Sequence, residues 1–114
     1  MDDRLLQQLK KGVLEMLVLE LICQEPTYGY ELMTKLRVRS NDLLTLKEGT
    51  LYPILYRLED EGMILSSWSQ GDGKSAPKKI YTSTEIGQQE RLRRQQIWSA
   101  FYRTVNDFYR EENL

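Results

Sequence analysis

Apolar residues near the start of the chain recur at Leu5, Leu9, Val13, Met16 and Leu17, the spacing of one helix face. From Val13 to Cys23 the run VLEMLVLELIC is apolar on nearly every side, which predicts a helix enclosed by other elements or by a second subunit. Glu25-Pro26 ends it. Thr27 is placed to cap a second helix from Tyr28 to about Arg37, with Tyr28, Leu32 and Leu36 at helical spacing. The segment Val38 to Leu46, which contains Ser40, Asn41 and Asp42, reads as a connector.

A third stripe, Leu51, Ile54, Leu55 and Leu58, lies inside KEGTLYPILYRLEDEG, and Gly62 stands where a helix stops. Two poor helix formers, Gly49 and Pro53, sit one turn apart on the side away from that stripe, together with Tyr56 and flanked by Tyr52. In a regular helix Pro53 clashes with the carbonyl of Gly49, so this helix is either loosened there or starts close to Thr50. Thr45 and Glu48 have the spacing of a capping box, and Lys47 as the first helical flank is an equal reading. Beyond Gly62, Ile64 to Ser69 reads as a strand, Gly71 to Pro77 as a turn and Lys78 to Thr82 as a second strand. A fourth helix then runs from about Thr84 to Glu112. Its first half, QQERLRRQQ, is almost wholly polar, and its second half carries Ile97, Trp98, Phe101, Tyr102, Val105, Phe108 and Tyr109. That stripe is too wide to leave in water, so it calls for a partner surface.

The predicted fold is mainly α with a small β-hairpin, an α+β class. At 114 residues it suits one compact unit at residues 1–83 and a dimerisation helix at residues 84–114. Composition narrows the chemistry. There is no histidine, the single cysteine, Cys23, lies in an apolar run as a buried inert thiol, and no carboxylates cluster at metal-ligand spacing. An enzyme, a metal and a cofactor are therefore not expected, nor is a disulfide framework. The N-terminal residues lack the basic start and cleavage site of a secretory signal, and the apolar run is broken by Glu15 and Glu20. The expectation is a cytoplasmic protein without a membrane partner.

The net charge of -1 gives no global sign of nucleic-acid binding. Local charge does. Lys35, Arg37, Arg39 and Lys47 against Asp42 give +3 just before the third helix, and Lys74, Lys78 and Lys79 against Asp72 give +2 between Ser66 and Thr82. The compensating acids gather in Glu59-Asp60-Glu61 and Glu111-Glu112, which leaves room for one positive face. Helix, helix, connector, helix and two-stranded hairpin is the order of a winged helix-turn-helix, whose third helix enters a DNA groove while the hairpin touches the flanking backbone.

Three stretches sharpen this reading: YGYEL at Tyr28 to Leu32, GTLYPILYRLEDEGMI at Gly49 to Ile64, and KKIYTSTEIG at Lys78 to Gly87. Through them the chain resembles the PadR family of bacterial transcriptional repressors over roughly residues 10 to 110, and the pattern GTLYPxLxRLExEG is highly specific. With one long helix after the wing, it looks like the small members, which include multidrug-sensing repressors. The resemblance implies a homodimer that binds a palindromic operator in double-stranded DNA and releases it on binding an effector. On this reading Tyr28, Lys47, Thr50, Tyr52 and Tyr56 approach phosphates and base edges, while Lys74, Lys78 and Lys79 neutralise backbone phosphates. Leu5, Leu9, Ile97, Phe101, Val105 and Phe108 are the candidate dimer interface. Trp98 aligns with a tryptophan that stacks on flat hydrophobic ligands in the multidrug-sensing members.

There are two departures. Glu48 stands where the family often has proline, and the wing carries lysines where arginines are common. Glu48 is unfavourable beside phosphates but favourable at a helix N-terminus. Arg57 is expected to bond within the domain, and Trp68 to pack against it. The alternative function is a winged-helix protein-interaction module without sequence-specific DNA binding.

Overall fold

The apolar run of the first helix lies at the centre of the molecule. In the computed structural model, which describes residues 3–70, 73 and 75–110, α1 spans Asp3–Gln24 and buries Leu14, Val18, Leu19, Leu21 and Ile22. Against it pack α2 (Gly29–Arg39) through Leu32 and Leu36, and α3 (Glu48–Asp60) through Leu51, Ile54, Leu55 and Leu58. The antiparallel hairpin of β1 (Ile64–Trp68) and β2 (Lys79–Ser83) closes the core with Ile64 and Tyr81. Outside this core lies α4 (Glu85–Phe108), in which Gly87 alone of the described residues is buried. The described strands and helices follow the predicted order, an α+β layout.

Boundaries moved where long-range contacts compete with local signals. Thr27 does not cap α2; Tyr28 takes that position without a side-chain bond, because the Thr27 backbone pairs with the wing. Thr27 N–H donates to the Tyr81 carbonyl at 3.1 Å, and Tyr81 N–H donates back at 2.7 Å. At its other end α2 runs to Arg39, and the chain reverses through Asn41 (φ 51°) and Asp42 (φ 68°), residue types that tolerate the left-handed region. No capping box forms at α3: Lys47 is its cap residue, and its carbonyl accepts from Thr50 and Leu51 N–H at 3.0 and 2.9 Å. The helix therefore starts at Glu48 rather than near Thr50, and it continues through Pro53.

The start of α4 is tied to three neighbours. Thr84 Oγ1 accepts from Gly87 N–H at 3.0 Å and donates to the Gly62 carbonyl at 2.6 Å. A Cβ at Gly87 would run into the carbonyl oxygen of Met63, so glycine is required by close approach rather than by a turn. Gln88 Nε2 donates to the Cys23 carbonyl at 3.0 Å, and Arg91 pairs with Glu20 at 2.8 Å. Cys23, expected to be buried, is half-buried, and burial pushes its thiol pKa up. The helix ends at Phe108, with Tyr109 as its C-cap; Glu112, the expected end, lies outside the described residues.

Candidate nucleic-acid interface

With its apolar stripe inward, α3 turns the opposite side to solvent. Lys47, Glu48, Gly49, Thr50, Pro53 and Tyr56 are all exposed there. Around Gly49 nothing approaches within 4 Å of a built Cβ, and Pro53 removes the N–H that would have bonded the Gly49 carbonyl. This is a low, polar surface with backbone groups accessible, the shape a recognition helix needs to approach base edges closely. Glu48 occupies the first helical position, where its charge favours the macrodipole. Arg57, as expected, is held inside the protomer by Glu15 at 3.2 Å.

Tyr52 and Tyr56 stand in sequence along α3 with ring centroids 6.4 Å apart. Tyr52 is half-buried, because its hydroxyl lies against Gly29: a Cβ at that glycine would come within 2.9 Å of it. Gly29 thus sets how closely the start of α2 approaches α3, a role not assigned from the sequence, although the GTLY and YGYEL stretches meet there. Tyr28, at the cap of α2, receives the Lys78 ammonium 4.3 Å from its ring centroid, a cation–π contact that brings the wing beside the start of α2. Lys79 is half-buried, 5.8 Å from the Tyr81 ring. Lys74 lies outside the described residues.

Part of the positive charge counted along the chain is neutralised within the protomer. Lys35 pairs with Glu25 at 2.6 Å and Glu31 at 3.1 Å, and Arg37 approaches Asp42 at 3.8 Å. The Thr27 hydroxyl and the Lys35 ammonium hold the Glu31 carboxyl below its usual range. Lys47, Lys78 and Arg39 are exposed without an ion pair among the described residues, and Lys79 is half-buried, a smaller free set than the sequence total suggested.

Far from this face, the first half of α1 and the second half of α4 enclose an open apolar groove of about 750 Å³. Leu9, Ile97, Trp98, Phe101 and Val105 line it, joined by Val13, Met16 and Tyr102; Leu5 and Phe108 are exposed beyond its lining. Trp98 is 39% exposed, with Phe101 and Tyr102 rings 6.3 and 6.0 Å away. Leu6 of α1, Leu44 of the connector and Arg94, at helical spacing with the α4 stripe, also reach the groove.

Over residues 18–93, which include α2, α3, the wing and the start of α4, the chain matches the model of the transcriptional regulator PadR-like family. It belongs to that family. A PadR family transcriptional regulator from Eggerthella lenta is 30% identical with a TM-score of 0.81, covering 95% of this chain and 91% of that one. A PadR-like transcriptional regulator from Bacillus cereus is 34% identical with a TM-score of 0.78, over 90% of this chain and 97% of its own. An uncharacterized protein of Lysinibacillus sphaericus is 33% identical over 78 residues, 68% of this chain and 70% of the relative. PadR-like proteins are DNA-binding transcriptional regulators rather than enzymes, and the winged-helix architecture is the family's. Among the described residues of this PadR-like chain no helix is long and apolar enough to cross a membrane.

Proposed function

We propose that this PadR-like regulator is a homodimeric repressor that places two copies of α3 in successive major grooves of a palindromic operator. The observation that carries the reading is the exposed side of α3, polar and stripped of bulk at Gly49, flanked by the wing lysines Lys78 and Lys79. Lys47, Thr50, Tyr52 and Tyr56 contact base edges and phosphates, and Tyr28 contributes its hydroxyl and the amides at the start of α2. Residues 1–83 form the DNA-binding unit, and residues 84–114 carry the dimerisation helix. The apolar groove supports a dimer, since a second copy laid on it would cover Leu9, Ile97, Phe101 and Val105.

Trp98 supports an effector site in the same region. Partly exposed beside Phe101 and Tyr102, two such indoles related by a twofold axis would sandwich one flat hydrophobic ligand. Release of DNA then follows if the ligand binds the DNA-incompetent spacing more tightly than the competent one.

The test is a gel-shift titration on the DNA upstream of the protein's own gene, at several salt concentrations. Binding preferred over random duplex and falling steeply with salt is expected. Absence of binding at low salt, or no preference over random DNA, removes the proposal. Lys78→Ala with Lys79→Ala should weaken operator and random DNA together; unchanged affinity would favour the protein-interaction alternative.

A further inference from the structure

Trp68 is the wing residue whose placement the core does not explain. Its indole is 68% exposed, where packing against the domain was expected. Among the described residues its Nε1–H meets no acceptor and its ring meets no other ring.

The hairpin register fixes where it stands. Trp68 pairs with Lys79, and paired residues of antiparallel strands share a face. The same face carries buried Tyr81 and Ser66, whose hydroxyl donates to Glu59 of α3 at 3.1 Å, so this face looks toward α3. Trp68 lies two residues closer to the hairpin tip than Ser66, about 6.6 Å along the strand. On α3, Tyr56 sits one turn before Glu59 and is 61% exposed. The space between the outward side of α3 and the wing is therefore bounded by a tyrosine on one wall and by an indole with a lysine on the other.

A duplex that takes α3 into its major groove and meets the wing beside it must run one sugar-phosphate strand along that space. The groups present fit such a strand: a flat apolar ring for a deoxyribose, an N–H for a phosphate oxygen and an ammonium for its charge. A protein partner would also accept an exposed indole, but protein hot spots are depleted of lysine at their centres, and here Lys79 stands directly across the ladder. We propose that Trp68 is a DNA-backbone contact, its ring packed on a deoxyribose between α3 and the wing and its Nε1–H donated to the adjoining phosphate. The contact positions the wing without reading sequence. It rests on the DNA-binding reading above.

Labelling the full chain with 5-fluorotryptophan gives two fluorine resonances, one for each tryptophan, and the signal lost in Trp68→Phe identifies Trp68. Saturation with duplex from the upstream region should move the Trp68 resonance. Trp68→Phe, which keeps a flat ring but loses the donor, should weaken operator and random duplex alike by about fivefold, and Trp68→Ala by about tenfold. The dependence of affinity on salt should not change slope, because no charge is removed. A stationary Trp68 resonance while a labelled duplex reports full binding would overturn the proposal and turn the indole over to a protein partner. Trp68→Ala binding as tightly as wild type would overturn it too, as would a loss confined to the operator. The fluorine shift is read on the unsubstituted fold, so a poorly folding variant does not blur the result. Wild-type protein that binds no duplex fails at the first titration and removes the DNA-binding reading itself.

Discussion

The Tyr81 hydroxyl is buried with no hydrogen-bond partner among the described residues, although its ring fills the junction of wing, α1–α2 connector and core. Burial, reinforced by nearby Tyr52, Glu59 and Tyr56, pushes its pKa up to about 12. Removing an unpaired buried hydroxyl while keeping the ring is neutral or favourable, so Tyr81→Phe should hold or raise stability by up to about 1 kcal/mol at pH 7. The sign at high pH is fixed. Because the folded pKa lies above the ordinary value of 10, wild type should lose more stability than Tyr81→Phe as pH rises from there toward 12. Thermal melts at pH 7 and above pH 10 read both effects; a Tyr81→Phe protein destabilised at pH 7 would show that the hydroxyl has a partner. Gly49 offers the reverse separation. A Cβ built there meets nothing within 4 Å and leucine replaces a poor helix former, so Gly49→Leu should raise stability by up to about 1 kcal/mol. It should abolish operator binding by filling the low surface of α3. A stable Gly49→Leu protein that still binds DNA would refute the role given to that surface.

At the scale of elements, the stripes Leu51-Ile54-Leu55-Leu58 and Leu32-Leu36 were legible because burial follows helical period, and the core carries them inward as read. What could not be read were bonds between residues distant in sequence. The Thr27–Tyr81 bridge, which shifts the start of α2, and the approach of Gly87 to Met63 depend on how elements dock. Trp68 was misplaced for a related reason: alternation gives the face of a strand but not how far the neighbouring helix extends over it. The first half of α4 was legible as polar, and it holds an organised cluster. Glu90 accepts from Arg93 at 2.7 Å and from Arg94 at 3.0 Å, one turn along the helix. The Arg93 bond, followed by that of Arg94, lowers the Glu90 pKa to about 2. A depressed carboxylate stabilises the fold above its unfolded pKa and loses that contribution as pH falls through the folded one. Glu90→Gln should therefore melt lower than wild type at pH 7, by about 1 kcal/mol after solvent screening. The difference should shrink from pH 4.5 downward and vanish near pH 2. A difference independent of pH would mean that Glu90 acts through packing, not charge.

At the scale of the whole molecule, the exposed side of α3 and the apolar groove lie on different elements, and α4 is bonded near the first and walls the second. Its start is bonded to Gly62, Cys23 and Glu20, while its far half walls the apolar groove. These bonds join the start of α4 to the turn that ends α3 and to α1. The exposed side of α3, proposed to meet DNA, was legible through the GTLYP stretch, since a glycine and a proline on the outside of a helix are costly unless something must come close. The groove was legible through its α4 stripe and Leu9 of α1; the part played by Leu6, Val13 and Met16 needed the docking of α1. If a second copy covers this groove, a charge at its centre should prevent assembly. Phe101 is 61% exposed in the single chain, so Phe101→Glu should leave each protomer folded. Wild type should sediment at twice the 13.5 kDa chain mass and Phe101→Glu at the chain mass itself. Losing the linkage of two recognition helices removes the effective-concentration gain of bivalent binding, so operator affinity should fall by roughly 100-fold or more. Circular dichroism guards against the trivial explanation of unfolding. A folded Phe101→Glu protein that still sediments as a dimer would show that another surface joins the copies, and would separate the groove from the assembly it is proposed to build.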